Sequence, residues 1–329
     1  MKKRNILYVL MTLFAVCFIS GCKQNVGTPE DNAVVEETES DEDETGGHVY
    51  GFSAADLSDP FYAVLKESAG SMIEEEESRM LVRDAGGDPA LQNTQIQELI
   101  NEGVEAVLLC PADPVSVTPA LEALNEADIP VINLYMRVEA ADLTSAFVGA
   151  DDYNAGKVCG DDLIGRQPEG GSLVIVDQPE NPAVNERITG FEEAVAGGGF
   201  EVDRIDTGDD YSLIPGQLKT VLKENPQINA VMCGDDHMAE QVLDTLKEVE
   251  RDDILVYSAG GSPKIKSALA DLASPMTGAG AVSPINIGKT AVKTASAILE
   301  GGTYEQETYT DTFFISKENV DMYGTDGWQ

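Results

Sequence analysis

Basic side chains are scarce in this sequence: 21 Lys and Arg stand against 59 Asp and Glu, a formal charge of -38 at pH 7. A field of that sign repels phosphate backbones, so no nucleic acid partner is expected. Histidine is nearly absent, with only His48 and His237, and the five cysteines are scattered without a C-x-x-C pair. No His/Cys cluster has zinc-ligand spacing, and neither a metal nor a cofactor is expected. Cys110, Cys159 and Cys233 are an odd, widely spaced set, read as buried free thiols instead of a disulfide. Aromatics make up only 6%, yet hydrophobic residues reach 42% and are spread along the chain, which is not the composition of a disordered polymer. No Ser-His-Asp order, nucleophile elbow or phosphate loop is visible, and this argues against an enzyme. What is present is length: 329 residues are enough for two ordinary domains.

The N-terminus has the layout of an address. Lys2, Lys3 and Arg4 precede an apolar run from Ile6 to Ile19, shorter than the roughly 20 residues that span a bilayer as a helix. The run ends in Ile19-Ser20-Gly21-Cys22, which resembles the lipobox of bacterial lipoproteins; ordinary cleavage with an incidental Cys22 thiol is the bland alternative. The resemblance implies that residues 1–21 are a signal peptide, that Cys22 is lipidated, and that the chain is tethered to the cell membrane without being embedded in it. Residues 22–48, with the run from Glu36 to Glu44, are too acidic for a core and read as an extended linker, not a calcium loop.

Beyond His48, short Val/Ile/Leu runs alternate with amphipathic stretches, the pattern of parallel sheets covered by helices. Strands are predicted at 49–53, 80–84, 106–109, 130–134, 172–176, 200–205, 230–233, 254–258 and 276–278. Met238, Val242, Leu246 and Val249 recur at near-helical spacing, as do Phe61, Leu65 and Met72 behind Pro60. One block ends near Ala150, another near Val282, and a further helix runs from Ile285 to Leu299. So many strands fit two doubly wound α/β domains with a ligand cleft between them, and ligands in such sheets bind at the carboxyl ends of strands.

After the first strand comes Asp59-Pro60-Phe61-Tyr62, one carboxylate and two aromatics before a helix. Aromatic faces pack on sugar CH groups and carboxylates accept from hydroxyls, although Asp59 as a helix cap with Phe61 in the core explains the same residues. Here the chain resembles the type 1 periplasmic sugar-binding proteins, the ribose and galactose group related to the LacI repressor's ligand domain. The likeness continues in order through 97–113, 128–134, 148–157, Glu186 to Phe191 and Val231 to Ala239, and covers Val49 to about Glu318. It implies ligand contacts from Asp59, Phe61 and Tyr62 on one lobe and Arg187, Tyr211 and Asp235 on the other, with Tyr135 joining them. Surface or helix-stapling roles for Arg187 and Tyr211 stay open.

Departures from the family pattern touch the ligand. Cys110 stands where ribose binders tend to have asparagine, Tyr135-Met136-Arg137 replaces an aspartate-arginine pair, an aspartate is lacking in 258–263, and Val282 replaces an amide. A less polar, more aromatic pocket is expected, for a sugar, a polyol or a modified saccharide; a nucleoside remains open, and Asp59 with Asp235 leaves room for an amine. Gly278 to Ser283 echoes a dinucleotide fingerprint without its third glycine and reads better as a hinge.

The resemblance thus implies an extracytoplasmic substrate-binding lipoprotein of an ABC importer, with a membrane permease as partner and hinge closure as the signal. A sensory receptor serving a membrane kinase or chemoreceptor would use the same cleft. The lobes are expected at 49–150 plus 283–311 and at 151–282 plus 312–329. Crossings are expected at Ala150-Asp151, Val282-Ser283 and Asp311-Thr312. The signal peptide and the acidity oppose a LacI-like repressor.

Overall fold

The computed structural model describes residues 47–208 and 210–329. The signal peptide, Cys22 and nearly all of the acidic linker lie outside these residues. Five strands open the folded part: β1 (Val49–Ala54), β2 (Arg79–Asp84), β3 (Ala106–Leu109), β4 (Val131–Leu134) and β5 (Ala146–Ala150). Five more follow: β6 (Gly171–Asp177), β7 (Phe200–Asp206), β8 (Ile228–Cys233), β9 (Leu255–Gly260) and β10 (Met276–Ala281), and then β11 (Glu307–Thr310) and β12 (Phe313–Ser316). They form two six-stranded sheets, ordered β11-β5-β4-β3-β1-β2 and β12-β10-β9-β8-β6-β7. Pairing is parallel except between β10 and β12. This is the expected fold class of two doubly wound α/β lobes.

Between the strands lie α1 (Pro60–Glu75), α2 (Pro89–Asn101), α3 (Thr118–Glu126), α4 (Asp152–Arg166), α5 (Pro182–Val195), α6 (Ile214–Glu224), α7 (Asp236–Glu248), α8 (Pro263–Ala270) and α9 (Pro284–Leu299). Their starts follow from the sequence. Asp59, Asp88, Asn181, Ser262 and Ser283 each accept a main-chain N–H at a helix entrance, and a proline follows each in the first turn.

Alternation along the first sheet builds two cores. Tyr50, Phe52, Leu108, Ile132 and Leu134 join Leu65, Ile73, Ile287 and Ala291, side chains of α1 and α9. Val107, Leu109 and Val131, one residue out of step, join Ile96, Leu99, Leu121 and Leu124 of α2 and α3. The second sheet has its own core, in which Phe191, Leu218, Val242 and Ile265 close over Val174, Met232 and Val256.

The chain leaves the first sheet after Ala150, enters the second through α4, returns by α9, and places β11 and β12 in different sheets. Trp328 then departs from expectation: the segment 312–329 reads as part of the second lobe, yet this ring packs on the first lobe's core. Gly278 and Gly280 lie inside β10, where a Cβ would meet the Phe314 ring at 2.2 Å and the Ala155 carbonyl at 2.0 Å.

Candidate ligand-binding site

A cavity of about 380 Å³ lies at the carboxyl ends of β1, β4, β8 and β9, and Asp59, Phe61, Tyr62, Tyr135, Arg187, Tyr211 and Asp235 all line it. The size is that of a small-molecule site. Four of these side chains come from the first lobe and three from the second.

Asp59 does two things at once. Its Oδ1 accepts the Phe61 N–H at 2.8 Å and so caps α1, while the carboxylate borders the cavity. Phe61 is likewise 8% exposed in the core and still part of the wall. The ring of Tyr135 lies 4.3 Å from that of Phe61, centroid to centroid. Tyr135 follows β4 with φ of 62°, a left-handed conformation that costs a bulky residue free energy and is held here by the surrounding contacts. Its main-chain N–H donates to Val148 O, and its hydroxyl accepts from Arg187 Nη2 at 2.8 Å, a bond between the two lobes. Burial pushes the Tyr62 and Tyr135 phenols up, so both are protonated donors at neutral pH.

Arg187, on α5, is 2% exposed. Its Nε donates to Asp152 Oδ1 at 2.7 Å and its Nη1 to Gly234 O at 3.1 Å, so three of five N–H groups have partners within the protein. Asp152 opens α4; burial raises its carboxyl and the guanidinium pulls it back. Asp235 Oδ1 caps α7 through Met238 N–H at 2.8 Å, and its Oδ2 accepts from the Tyr211 hydroxyl at 2.6 Å. Burial beside this carboxylate pushes the Tyr211 phenol up.

Sequence reasoning passed over the neighbouring Asp236. Its carboxylate is buried, accepts from Ser258 Oγ at 2.8 Å and Ser262 N at 2.6 Å, and is raised by burial. It stands against the 258–263 loop, whose lack of an aspartate suggested a less polar wall. Gly260 there has φ of 151°, and a Cβ on it would sit 2.6 Å from Asp236 Oδ2. His237, Glu240, Lys264 and Trp328 also border the cavity and carry no sequence signal. Conversely, Cys110 is wholly buried outside the lining, and of Tyr135-Met136-Arg137 only the first two border the cavity, Arg137 pairing instead with Glu307 at 3.0 Å over the Phe147 ring.

The charges do not balance. Arg187 is offset by Asp152, and Lys264 by Glu240 at 2.8 Å, which leaves Asp59, Asp235 and Asp236 without a basic partner among the described residues. The cavity therefore offers acceptors, phenolic donors and aromatic faces under a net negative potential. Among the described residues no three metal-ligating side chains converge, and no helix is long and apolar enough to cross a membrane.

A cavity between two doubly wound lobes, walled by strand ends of both, is the site of a two-lobed solute-binding protein. The chain belongs to the periplasmic binding protein family, whose domain matches residues 50–303. It is 27% identical over 265 residues to the ribose import binding protein of Escherichia coli strain K12, covering 80% of this chain and 88% of that one. A solved ABC transporter solute-binding protein from Mycobacterium smegmatis, with bound glycerol, superposes with a TM-score of 0.77 at 26% identity, over 86% of this chain and 99% of the other. One from Bacillus halodurans C-125, with bound myo-inositol, has the same fold (TM-score 0.75, 23% identity, 85% and 98% covered). The protein is thus a type 1 periplasmic sugar-binding protein by family, an extracytoplasmic class of transport binders and not of enzymes.

Proposed function

We propose that this chain is the substrate-binding lipoprotein of an ABC importer, anchored by lipid on Cys22, and that it captures a neutral sugar or polyol by hinge closure. The observation that carries the ligand class is the lining itself: carboxylates, phenols and a guanidinium from both lobes around aromatic faces, with no cation left over for an anion. In this reading Asp59, Phe61, Tyr62 and Tyr135 contact the ligand from the lobe 49–150 plus 283–311. Arg187, Tyr211 and Asp235 contact it from the lobe 151–282 plus 312–329. Closure turns about Ala150-Asp151, Val282-Ser283 and Asp311-Thr312, and the closed form is what a permease recognises. The excess of carboxylates supports a second reading, an amine-bearing polyol, through charge-assisted bonds.

A thermal-shift panel tests the ligand class. A sugar or polyol at a hundred times its Kd adds about 2.7 kcal/mol to native stability. Asp59→Ala is expected to abolish the shift, and D-ribose 5-phosphate to give none. A phosphate ester that shifts the midpoint as far as a neutral sugar would sink the reading. The anchor has a separate check: Cys22→Ser should release the protein from the membrane fraction and end incorporation of labelled palmitate, whereas continued labelling would remove Cys22 from its role.

A further inference from the structure

Trp328 is the only tryptophan in the sequence, and it borders the cavity from a segment that no strand or helix of either lobe includes. That segment is not a loose appendage. At one end Tyr323 stacks on Phe313, with ring centroids 5.1 Å apart and planes 16° apart. The Tyr323 carbonyl accepts from Gln329 Nε2 at 2.8 Å and from the buried Lys266 Nζ at 3.5 Å. At the other end Ser283 Oγ, which caps α9 by accepting the Asn286 N–H, donates to Gln329 O. The indole is thus fixed between a contact on the second lobe and the start of α9 on the first.

Its surroundings favour a ligand over plain core packing. The ring meets Phe61 at 5.5 Å between centroids with the planes 82° apart, so the two aromatics form a right-angled corner of the cavity. The indole Nε1 is buried and has no hydrogen-bond partner among the described residues. A buried indole N–H ordinarily finds an acceptor, and here the described residues supply none.

We propose that Trp328 is a specificity-determining wall of the ligand site, which selects ring-shaped sugars and cyclitols over open-chain polyols. The inference rests on the sugar or polyol reading of the cavity. A pyranose, furanose or cyclitol presents a rigid CH face to one wall of the corner and directs its hydroxyls toward Asp59, Asp235 and the indole N–H. An open-chain alditol has the same hydroxyls but must freeze several torsions to lie against two flat walls, and that lost freedom is subtracted from its affinity.

The test titrates the full chain with myo-inositol, D-ribose and xylitol by calorimetry while following tryptophan emission, which reports this one residue. The expected result is that a ring-shaped ligand binds more tightly than xylitol and changes the emission. Trp328→Ala should weaken the ring-shaped ligand about tenfold and xylitol less than about threefold, and Trp328→Phe should recover most of the difference. Circular dichroism melts confirm that both variants fold, and Trp328→Phe carries the test if the alanine variant does not. Calorimetric binding with unchanged emission, or equal losses for ring and chain, would overturn the role of Trp328 and leave the sugar or polyol reading intact. If none of the three binds, that reading falls and the inference with it.

Discussion

Replacing Arg187 by methionine is expected to destabilise the protein by about 3–5 kcal/mol, because it strands the buried Asp152 carboxylate without its cation. Native stability is a small difference between large terms, and in a folded part of this length a loss of that size lowers the melting midpoint by about 5–8 °C. The Gly234 carbonyl and the Tyr135 hydroxyl lose donors as well, and the direct bond between the lobes goes with them. The sign of the pH dependence follows from Asp152. Burial already holds its carboxyl above the ordinary value and only Arg187 opposes this, so in the variant the native pKa lies further above the unfolded one. A carboxyl raised in that way contributes stability below the unfolded pKa and loses it as pH rises through the native one. The deficit of Arg187→Met against the parent should therefore be largest near pH 7 and shrink as pH falls toward the carboxylate range. Adding Asp152→Asn should recover part of it at pH 7. Melting curves at two pH values decide; a deficit equal at both would mean that the stranded charge is not its source.

The fold was largely legible because several strands hold a dense apolar run, as in Ala-Val-Leu-Leu of β3 and Leu-Val-Ile-Val inside β6, and because Pro60 behind Asp59 marks the start of α1; the same pairing at Asp113-Pro114, Asn225-Pro226 and Ser274-Pro275 opens no helix. Three strands escaped for local reasons. β5 reads Ala-Phe-Val-Gly-Ala, too small and glycine-bearing to stand out. β11 is a polar edge, Glu-Thr-Tyr-Thr, and β12 is four residues long and antiparallel. The glycines of β10 cut the predicted strand short at 278 for a related reason. They belong to a strand because Phe314 and the Ala155 carbonyl lie against them, and no neighbour in sequence announces that.

The site divides in the same way. Tyr135 and Asp235 stand within two residues of a strand end and Asp59 at the entrance of α1, so the strand–helix order places them near the cavity, while their part in it was implied by the family resemblance. Asp236 and Trp328 depend on what folds back onto them: the Ser258 to Ser262 turn brackets one, and the Ser283 hydroxyl fixes the segment that carries the other. Sequence order also hid that single residues serve twice. Asp59 and Asp235 are helix caps as well as cavity acceptors, so a loss of ligand affinity on replacing either carries a loss of helix stability of about 1 kcal/mol with it.

Arg187 owes its position to a helix contact that a single methyl group would break. Where α4 and α5 cross, a Cβ on Gly156 would sit 1.7 Å from the Arg187 carbonyl oxygen, and one on Gly190 would sit 2.0 Å from that of Tyr153. The obstacle in each case is main chain, which cannot rotate aside as a side chain would. Gly156→Ala must push α5 away from α4, and with it Arg187 from the Asp152 carboxylate that opens α4. The expected cost is about 3 kcal/mol, the upper end for overpacking, accompanied by weaker ligand binding because the guanidinium leaves Tyr135. The same substitution at Gly165 of α4, exposed and with nothing within 4 Å of its Cβ, should instead stabilise by about 0.5–1 kcal/mol through helix propensity. Urea unfolding of the two variants beside the parent reads this as midpoints moving in opposite directions. If both alanines moved the midpoint the same way, close packing of α4 on α5 would not be what holds Arg187 in the site.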